Sequence, residues 1–268
     1  MDLKRLVKNK VDCDIGAVIN VFGVGVLDIS RQNAVFEVMK LAQPKNRGKY
    51  VVTVNSEFVM KARRDPDFAK ILANADLALA DGKWIAISKL ICGGKEQDVI
   101  TGVELVESVC KEASEKPITI GFMGGFDGVA EVVAKRQKTR LSSLKVAIAE
   151  PGDPSKQADL RLKQRFLEVG RVDVLFVAYG MGKQEFWIER MRTKLDVGVF
   201  IGVGGAFDYL SGVKRRAPKV LQDLGFEWFW RLLLEPTRIW RQRIIPMFFL
   251  MILAKFAKVK IFDKFSKN

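Results

Sequence analysis

The clearest indication of the fold comes from KYVVTVNSEFVMKARRDPDFAKILANADLALADG, residues Lys49–Gly82. It begins with an apolar run of strand length, Tyr50–Val54, and ends with a second one, Leu77–Ala80. The residues between these runs have the mixed composition of helices, and Asp65-Pro66 has the form of an N-cap followed by proline at the first helical position. The segment therefore predicts a strand–helix–strand unit of an α/β sheet.

Both predicted strands lead into polar residues. Thr53 and Asn55 lie at the end of the first strand, and Asp81 follows the second. Because the carboxyl ends of strands line the ligand crevice in open α/β sheets, these three side chains are candidate site residues. The chain contains no histidine, so proton transfer near neutral pH requires a carboxylate, Lys, Tyr or Cys. Asp81 is the best-placed candidate for a general base.

The same alternation of strands and helices continues through most of the chain. Helices are predicted at residues 30–43, 56–63, 66–74, 84–91, 102–115, 127–141, 156–168 and 184–194. Further strands are predicted at Gly16–Phe22, Ile118–Met123, Lys145–Ala149, Val174–Ala178 and Val197–Val203. Since alternating strands and helices form βαβ units, we predict an α/β fold with a mostly parallel sheet and helices on both faces.

The pattern changes near Lys214, after which strand signals are absent. We predict an α/β domain over residues 1–213 and a basic, aromatic, helical C-terminal appendage over residues 214–268. Between Phe229 and Asn268 there are nine Lys and Arg residues and two acidic residues. The net charge of this segment, +7, is half of the formal net charge of +14. A charge of this size predicts an anionic partner, which can be nucleic acid, a phosphorylated ligand or an acidic lipid surface.

An apolar run in the appendage, Ile244–Ala254, is too short to span a bilayer, which requires roughly 18–20 apolar residues. It is flanked by Arg238, Arg241, Arg243, Lys255, Lys258 and Lys260. Apolar residues between clusters of cations are typical of an interfacial anchor that contacts anionic lipid. The alternative is a buried helix or an oligomer contact.

Two glycine turns are candidate phosphate-binding elements. Gly124 and Gly125 join a predicted strand to a helix, and a second turn leads into Lys183 and Gln184 at a helix start. Backbone amides at such turns favour phosphate, while Gln184 can hydrogen-bond a sugar or base. The alternatives are a tight connection for the first turn and exposed polar residues for the second. Neither turn has the dinucleotide GxGxxG spacing, which disfavours an NAD oxidoreductase.

No metal or cofactor is expected. The three cysteines form no CxxC pair, and they suit a reducing compartment. Two DxD matches occur, at Asp12–Asp14 and Asp65–Asp67; the second is explained by a helix start. The P-loop, GxSxG and HExxH motifs are absent. The N-terminal segment lacks the apolar region of a signal peptide.

Several of these segments together resemble the WecG/TagA/CpsF family of bacterial glycosyltransferases (glycosyltransferase family 26). The resemblance covers residues 12–243, and its most specific parts are VVTVNSE, ADLALADG, KQEFWI and GVGGAFDYLSGVKRRAPKVLQDLGFEWFWRLLLEPTRIWRQR. It implies a Rossmann-like body with a membrane-associating appendage. It also implies inverting transfer of a sugar from a UDP-sugar substrate to a polyprenyl-diphosphate-linked saccharide, by a peripheral protein at the cytoplasmic face of the bacterial inner membrane. Family members are often oligomeric, and the sequence leaves open whether this chain forms a homo-oligomer.

The resemblance also assigns residues. The family's catalytic Asp falls on Asp81, and its active-site Thr and Asn fall on Thr53 and Asn55. Its remaining site residues fall on Gln184 and on the appendage arginines Arg231, Arg238 and Arg241. Two positions depart from the family pattern: Val99 stands where an Arg is usual, and Gly182 stands where a Pro is usual. The first departure predicts a different donor or a compensating cation such as Lys83 or Lys95.

The residues and the resemblance converge on sugar transfer, with Asp81 as base and the appendage arginines stabilising the leaving diphosphate. Two other classes stay open at this point: a basic nucleic-acid-binding module and a nucleotide-dependent enzyme without sugar-transfer activity. The clustering of the charge on an apolar tail favours a membrane surface over nucleic acid.

Overall fold

A computed structural model describes residues 16–126 and 128–265, with side chains described up to residue 257. A six-stranded sheet forms its centre, with the spatial order β4-β3-β8-β7-β5-β6 and parallel pairing throughout. The strands are β3 (Lys49–Val54), β4 (Leu77–Ala80), β5 (Thr119–Gly124), β6 (Lys145–Glu150), β7 (Val172–Ala178) and β8 (Val197–Gly202). The predicted α/β fold with a parallel sheet is confirmed. Every residue of β7 and β8 is buried, which explains their continuous apolar runs.

The predicted strand Gly16–Phe22 is present over a shorter range, but it does not belong to the main sheet. The chain there forms an antiparallel hairpin of β1 (Val18–Val21) and β2 (Val24–Leu27), outside the main sheet. The two turn residues, Phe22 and Gly23, have φ of 51° and 101°, as a two-residue type I′ hairpin turn requires. The sequence pattern did not predict this turn, because its first residue is Phe22 and a bulky residue rarely adopts positive φ.

Helices cover both faces of the sheet. They are α1 (Arg31–Leu41), α2 (Ser56–Ala62), α3 (Pro66–Ala73), α4 (Lys83–Ile91), α5 (Gly102–Ser114), α6 (Val129–Arg140), α7 (Asp159–Val169), α8 (Lys183–Met191) and α9 (Ala206–Leu210). Alternate residues of β3 enter two different apolar cores, with Tyr50 and Val52 in one and Val51 in the other. This alternation follows from the twofold period of a strand. Asp65 caps α3 as predicted, by accepting a hydrogen bond from the Phe68 amide at 3.0 Å.

The appendage is helical, as predicted. It contains α10 (Lys219–Asp223), α11 (Glu227–Leu234), a short 3-10 turn (Pro236–Arg238), α12 (Ile239–Gln242) and α13 (Ile245–Phe265). It packs on the body: α13 contacts α2 and α4, and the Trp84 indole donates a hydrogen bond to the Gly225 carbonyl at 2.9 Å. No helix in residues 16–126 and 128–265 is both long and apolar enough to cross a membrane.

The apolar run at the start of α13 has two different faces. Ile245, Phe248 and Ile252 are buried, and the Phe248 ring meets the Phe22 ring edge to face at 5.7 Å. On the other face, Leu250 and Leu253 are 66% and 63% exposed. The run is therefore partly a core element and partly an exposed apolar surface.

Candidate active site

A cavity of about 900 Å³ opens at the carboxyl edge of the sheet. It is lined by the segments that follow β3, β4, β5, β7 and β8, together with residues of α11 and α12. The predicted site residues that line it are Thr53, Asn55, Asp81, Gly125, Lys183, Gln184, Arg231, Arg238 and Arg241. The tenth, Gly124, lies behind the lining. A side chain there would collide with the Ala178 backbone at 2.6 Å, so this glycine permits β5 and β7 to pack closely.

Asp81 lies at the strand end, where its backbone amide donates to the Val54 carbonyl at 2.8 Å. Burial raises the pKa of its carboxyl from 3.8 to about 7, with Arg231 opposing that rise and Glu227 adding to it. A hydrogen bond from Asn55 also lowers the pKa of Asp81. A carboxyl with a pKa near neutrality can accept a proton at physiological pH and release it again, as a general base must do.

Asn55 links the start of α2 to Asp81. Its side-chain oxygen accepts hydrogen bonds from the backbone amides of Glu57 and Phe58, at 3.0 and 3.3 Å, which caps the helix. With the oxygen engaged, the side-chain nitrogen is the group left to donate to the Asp81 carboxylate. The helix cap therefore fixes the orientation of a donor to the candidate base.

Replacing Asn55 tests this link. Asn55→Asp keeps the acceptor oxygen for the cap but places a second negative charge beside Asp81, so the pKa of Asp81 should rise above about 7. The acidic limb of kcat/KM against pH should therefore move to higher pH. Asn20→Asp is the matched control, because Asn20 caps the exposed hairpin turn by accepting from the Gly23 amide. An unchanged limb in Asn55→Asp would contradict the assignment.

Thr53 links β3 to β8 beside the cavity. Its hydroxyl donates to the Gly202 carbonyl at 3.0 Å, and the residue is 4% exposed. Because the hydrogen of the hydroxyl is engaged, the oxygen is left as an acceptor toward the cavity. Thr53 thus ties β3 to β8 at the point where both strands end.

Gln184 connects the start of α8 to the turn that follows β8. It is 1% exposed; its side-chain oxygen accepts from the Gly204 amide at 3.0 Å, and its nitrogen donates to Glu185 at 2.6 Å. Glu185 also accepts from the Gly182 amide at 2.5 Å, and burial raises the pKa of Glu185 to about 7. Glu185 was not among the predicted site residues, although it directly follows Gln184. Lys183 is exposed at the same helix start.

The appendage brings its three arginines to the cavity, and each is paired with a glutamate. Arg231 meets Glu227 at 2.9 Å and Arg238 meets Glu235 at 2.7 Å. The third, Arg241, meets Glu57 of α2 at 2.7 Å, which joins the appendage to the body. The Arg231 guanidinium also lies 4.9 Å from the centre of the Tyr209 ring. Cations held in this way suit a negatively charged leaving group.

A further arginine lies where the family pattern is broken. Arg31, the first residue of α1, donates to the Val99 carbonyl at 2.9 Å and lines the cavity. Its own amide donates to the Asp98 carboxylate at 2.8 Å. Lys83 is instead engaged with the Asp223 carbonyl. No sequence motif surrounds Arg31, and only the fold brings α1 beside residue 99.

The described residues contain no group of three or more His, Cys, Asp or Glu side chains arranged to hold a metal ion. Cys92 and Cys110 are free thiols, and burial raises the pKa of Cys110. The DxD match at Asp12–Asp14 lies outside the described residues.

Comparison with known proteins gives the family. The family model described as "Glycosyl transferase WecG/TagA/CpsF family" matches residues 19–261. An N-acetylglucosaminyldiphosphoundecaprenol N-acetyl-beta-D-mannosaminyltransferase of Bacillus spizizenii is 30% identical over 204 residues, which are 76% of this chain and 78% of that protein. Proteins of the same name from Bacillus subtilis and Staphylococcus aureus are 29% and 26% identical, over 80% and 82% of this chain and 83% and 85% of their own lengths. This chain belongs to the WecG/TagA/CpsF family of glycosyl transferases.

Proposed function

We propose that this protein is an inverting, UDP-sugar-dependent hexosyltransferase that extends a polyprenyl-diphosphate-linked saccharide in bacterial surface polysaccharide synthesis. The observation that carries the proposal is Asp81, a carboxyl with a pKa of about 7 in a cavity lined by arginines. The names of the relatives point to N-acetylglucosaminyl-diphosphoundecaprenol as the acceptor.

The proposed reaction is a single displacement. Asp81 takes the proton from the acceptor hydroxyl while the hydroxyl oxygen forms a bond to the anomeric carbon. The bond between that carbon and the diphosphate oxygen breaks, and UDP leaves with the electron pair. Because the nucleophile attacks opposite the leaving group, the anomeric configuration inverts. Thr53 and Asn55 hold the sugar or the acceptor hydroxyl in this proposal.

The departing diphosphate needs positive charge, and the cavity provides it without a metal in this proposal. Arg231, Arg238 and Arg241 contact the diphosphate oxygens with their planar guanidinium groups. Lys183, Gln184 and the turn at Gly125 are assigned to the nucleotide.

A product assay tests the proposal. The purified full-length protein is incubated with a short-chain N-acetylglucosaminyl-diphosphate lipid and, separately, with UDP-linked N-acetylmannosamine, its uronic acid and glucose. Mass spectrometry should find the acceptor heavier by one sugar residue with at least one donor. Absence of transfer from every donor, with the acceptor recovered intact, would overturn the proposed function.

We place the protein at the cytoplasmic face of the inner membrane as a peripheral protein. The support is the exposed face of α13, where Met247, Leu250 and Leu253 point away from the core. Trp240, which is 74% exposed, belongs to the same appendage. An apolar helix face between basic residues binds an anionic interface, and each basic residue near it contributes about 1 kcal/mol.

Replacing the exposed leucines tests membrane binding. The double variant Leu250→Ser, Leu253→Ser should reduce co-sedimentation with anionic liposomes about 10-fold or more. The reason is that binding no longer transfers two leucine side chains from water to the lipid interface. Deleting α13 would be a poorer test, since Phe248 is fully buried in the core. Leu167→Ser is the matched control, because Leu167 is 83% exposed on α7. Wild-type protein that fails to bind at any salt concentration would refute the anchor.

A further inference from the structure

Among the described residues, one arginine of the cavity lining has no acidic partner. Its lysines and arginines are Arg31, Lys83, Lys183, Lys214, Arg216, Arg231, Arg238 and Arg241. Five of them form ion pairs with carboxylates, and Lys83 binds a backbone carbonyl. Within the part of the chain that the structure describes, Arg216 is the arginine of this set without a carboxylate or carbonyl partner. Lys183 also lacks one, but it is exposed to water.

Arg216 is held firmly although its charge is unpaired. One terminal nitrogen of its guanidinium donates to the Thr101 hydroxyl at 3.3 Å, while Nε is buried and has no hydrogen-bond partner. The next residue, Ala217, is 3% exposed, so the backbone is anchored. A buried donor without a partner is unfavourable in the folded state, and an arriving acceptor oxygen would remove that cost.

The surroundings of Arg216 suit an anion. Thr101 is the N-cap of α5, a helix of 13 residues, and it forms a capping box with Glu104. On the same first turn, the Arg31 guanidinium meets Glu104 at 3.5 Å. Two guanidinium groups therefore flank a helix N-terminus, where the helix dipole also favours negative charge. Glu104 balances one of these cations, and Arg216 remains.

We propose that Arg216 binds phosphate oxygens of a diphosphate-bearing substrate in this cavity. The inference rests on the proposed function, which supplies two such substrates: the nucleotide sugar and the lipid-diphosphate acceptor. Arg231, Arg238 and Arg241 are each paired with a glutamate. Arg216 has none, so a phosphate that contacts its guanidinium group displaces no carboxylate.

Binding of diphosphates to the full-length protein tests this. Titration calorimetry with inorganic pyrophosphate, UDP and farnesyl diphosphate should show binding to the wild-type protein. Arg216→Ala should weaken it about 10- to 100-fold for at least one of the three. Arg215→Ala is the matched control, since Arg215 is the neighbouring arginine, is exposed and does not line the cavity. Arg216→Lys should fall between the two, because it keeps the charge but loses the fork.

The three ligands distinguish a donor site from an acceptor site. The melts and the transfer assay distinguish a loss of binding from a structural role and from failure of the proposed function. A loss confined to UDP assigns Arg216 to the donor, and a loss confined to farnesyl diphosphate assigns it to the acceptor; either result supports the proposal. Equal binding of all three diphosphates by Arg216→Ala and Arg215→Ala overturns it. Thermal melts distinguish a structural role, because pyrophosphate should raise the Tm of Arg215→Ala more than that of Arg216→Ala. Failure of the proposed function would appear separately, as absent sugar transfer by the wild-type protein.

Discussion

Asp81→Asn should lower the turnover of sugar transfer by about 10²–10⁴-fold, which is the usual contribution of a positioned general base. Asparagine has nearly the same size and can still hydrogen-bond Asn55, but it has no oxygen that accepts the acceptor's proton at neutral pH. Binding of UDP should therefore stay near the wild-type value. Product formation and UDP titration measure the two quantities independently. If Asp81→Asn keeps more than about a third of wild-type activity, Asp81 is not the base.

The pH dependence of the wild-type enzyme gives the same assignment a second readout. A base works only when it is deprotonated, and the pKa of Asp81 is about 7, so kcat/KM should rise with pH through about 7. A flat profile from roughly 1.5 pH units below that pKa to roughly 1.5 units above it would contradict the role.

Asp81 should affect stability in the opposite direction from activity. As the pH rises, it should lower the free energy of unfolding. Burial raises the folded-state pKa of Asp81 from 3.8 to about 7, so the folded protein holds a proton that the unfolded chain releases. Its contribution to stability is fully present below about pH 4 and is lost as the pH rises to about 7. Asp81→Asn carries no charge at either pH. The difference in Tm between Asp81→Asn and the wild type should therefore shift in favour of the mutant as the pH rises from 5 to 8.

Arg231→Ala should reduce transfer by about 10²–10³-fold, the size of effect seen when one donor to a developing negative charge is removed. Arg231 has two roles in our proposal. It binds the leaving diphosphate, and its charge holds down the pKa of Asp81. UDP binding should weaken, and the acidic limb of the pH profile should move to higher pH. Steady-state kinetics across pH together with UDP titration test both expectations.

Two further variants sharpen the assignment of Arg231. Arg231→Lys keeps the charge, so the acidic limb should stay near its wild-type position, while turnover falls because the bidentate fork is lost. Lys219→Ala removes one positive charge from α10, outside the cavity lining, and should leave turnover unchanged. Turnover of Arg231→Ala within about threefold of wild type would show that the arginine does not stabilise the leaving group.

The strands of the main sheet were predictable because their physics is local. A strand buried on both faces must be apolar along its whole length, and Val174–Ala178 satisfies that condition in the sequence alone. Asp81 stood out for a related reason: it interrupts an apolar run at a strand end, next to Gly82. The second strand of the hairpin, Val24–Leu27, was not predicted, because the turn before it begins with the bulky Phe22.

The composition of the site was only partly predictable. Thr53, Asn55, Gln184 and the appendage arginines were predicted from motifs and a family resemblance, and all of them line the cavity. Glu185, Arg31 and Arg216 were not, since each acquires its meaning from a partner elsewhere: the Gly182 turn, the Val99 carbonyl and the Thr101 hydroxyl. Such contacts leave no periodic signal in one sequence.

Short segments of the sequence were enough to predict the class of fold, the strand ends that hold polar residues and the basic, apolar character of the appendage. Each of these follows from periodicity and composition within short segments. The environment of these polar residues depends on the tertiary structure. It buried the Asp81 carboxyl and placed Arg231, from a helix far along the chain, close enough to influence its pKa. It also buried Phe248 while exposing Leu250 on the same helix. Burial and long-range proximity set these properties, and both depend on how distant segments pack together.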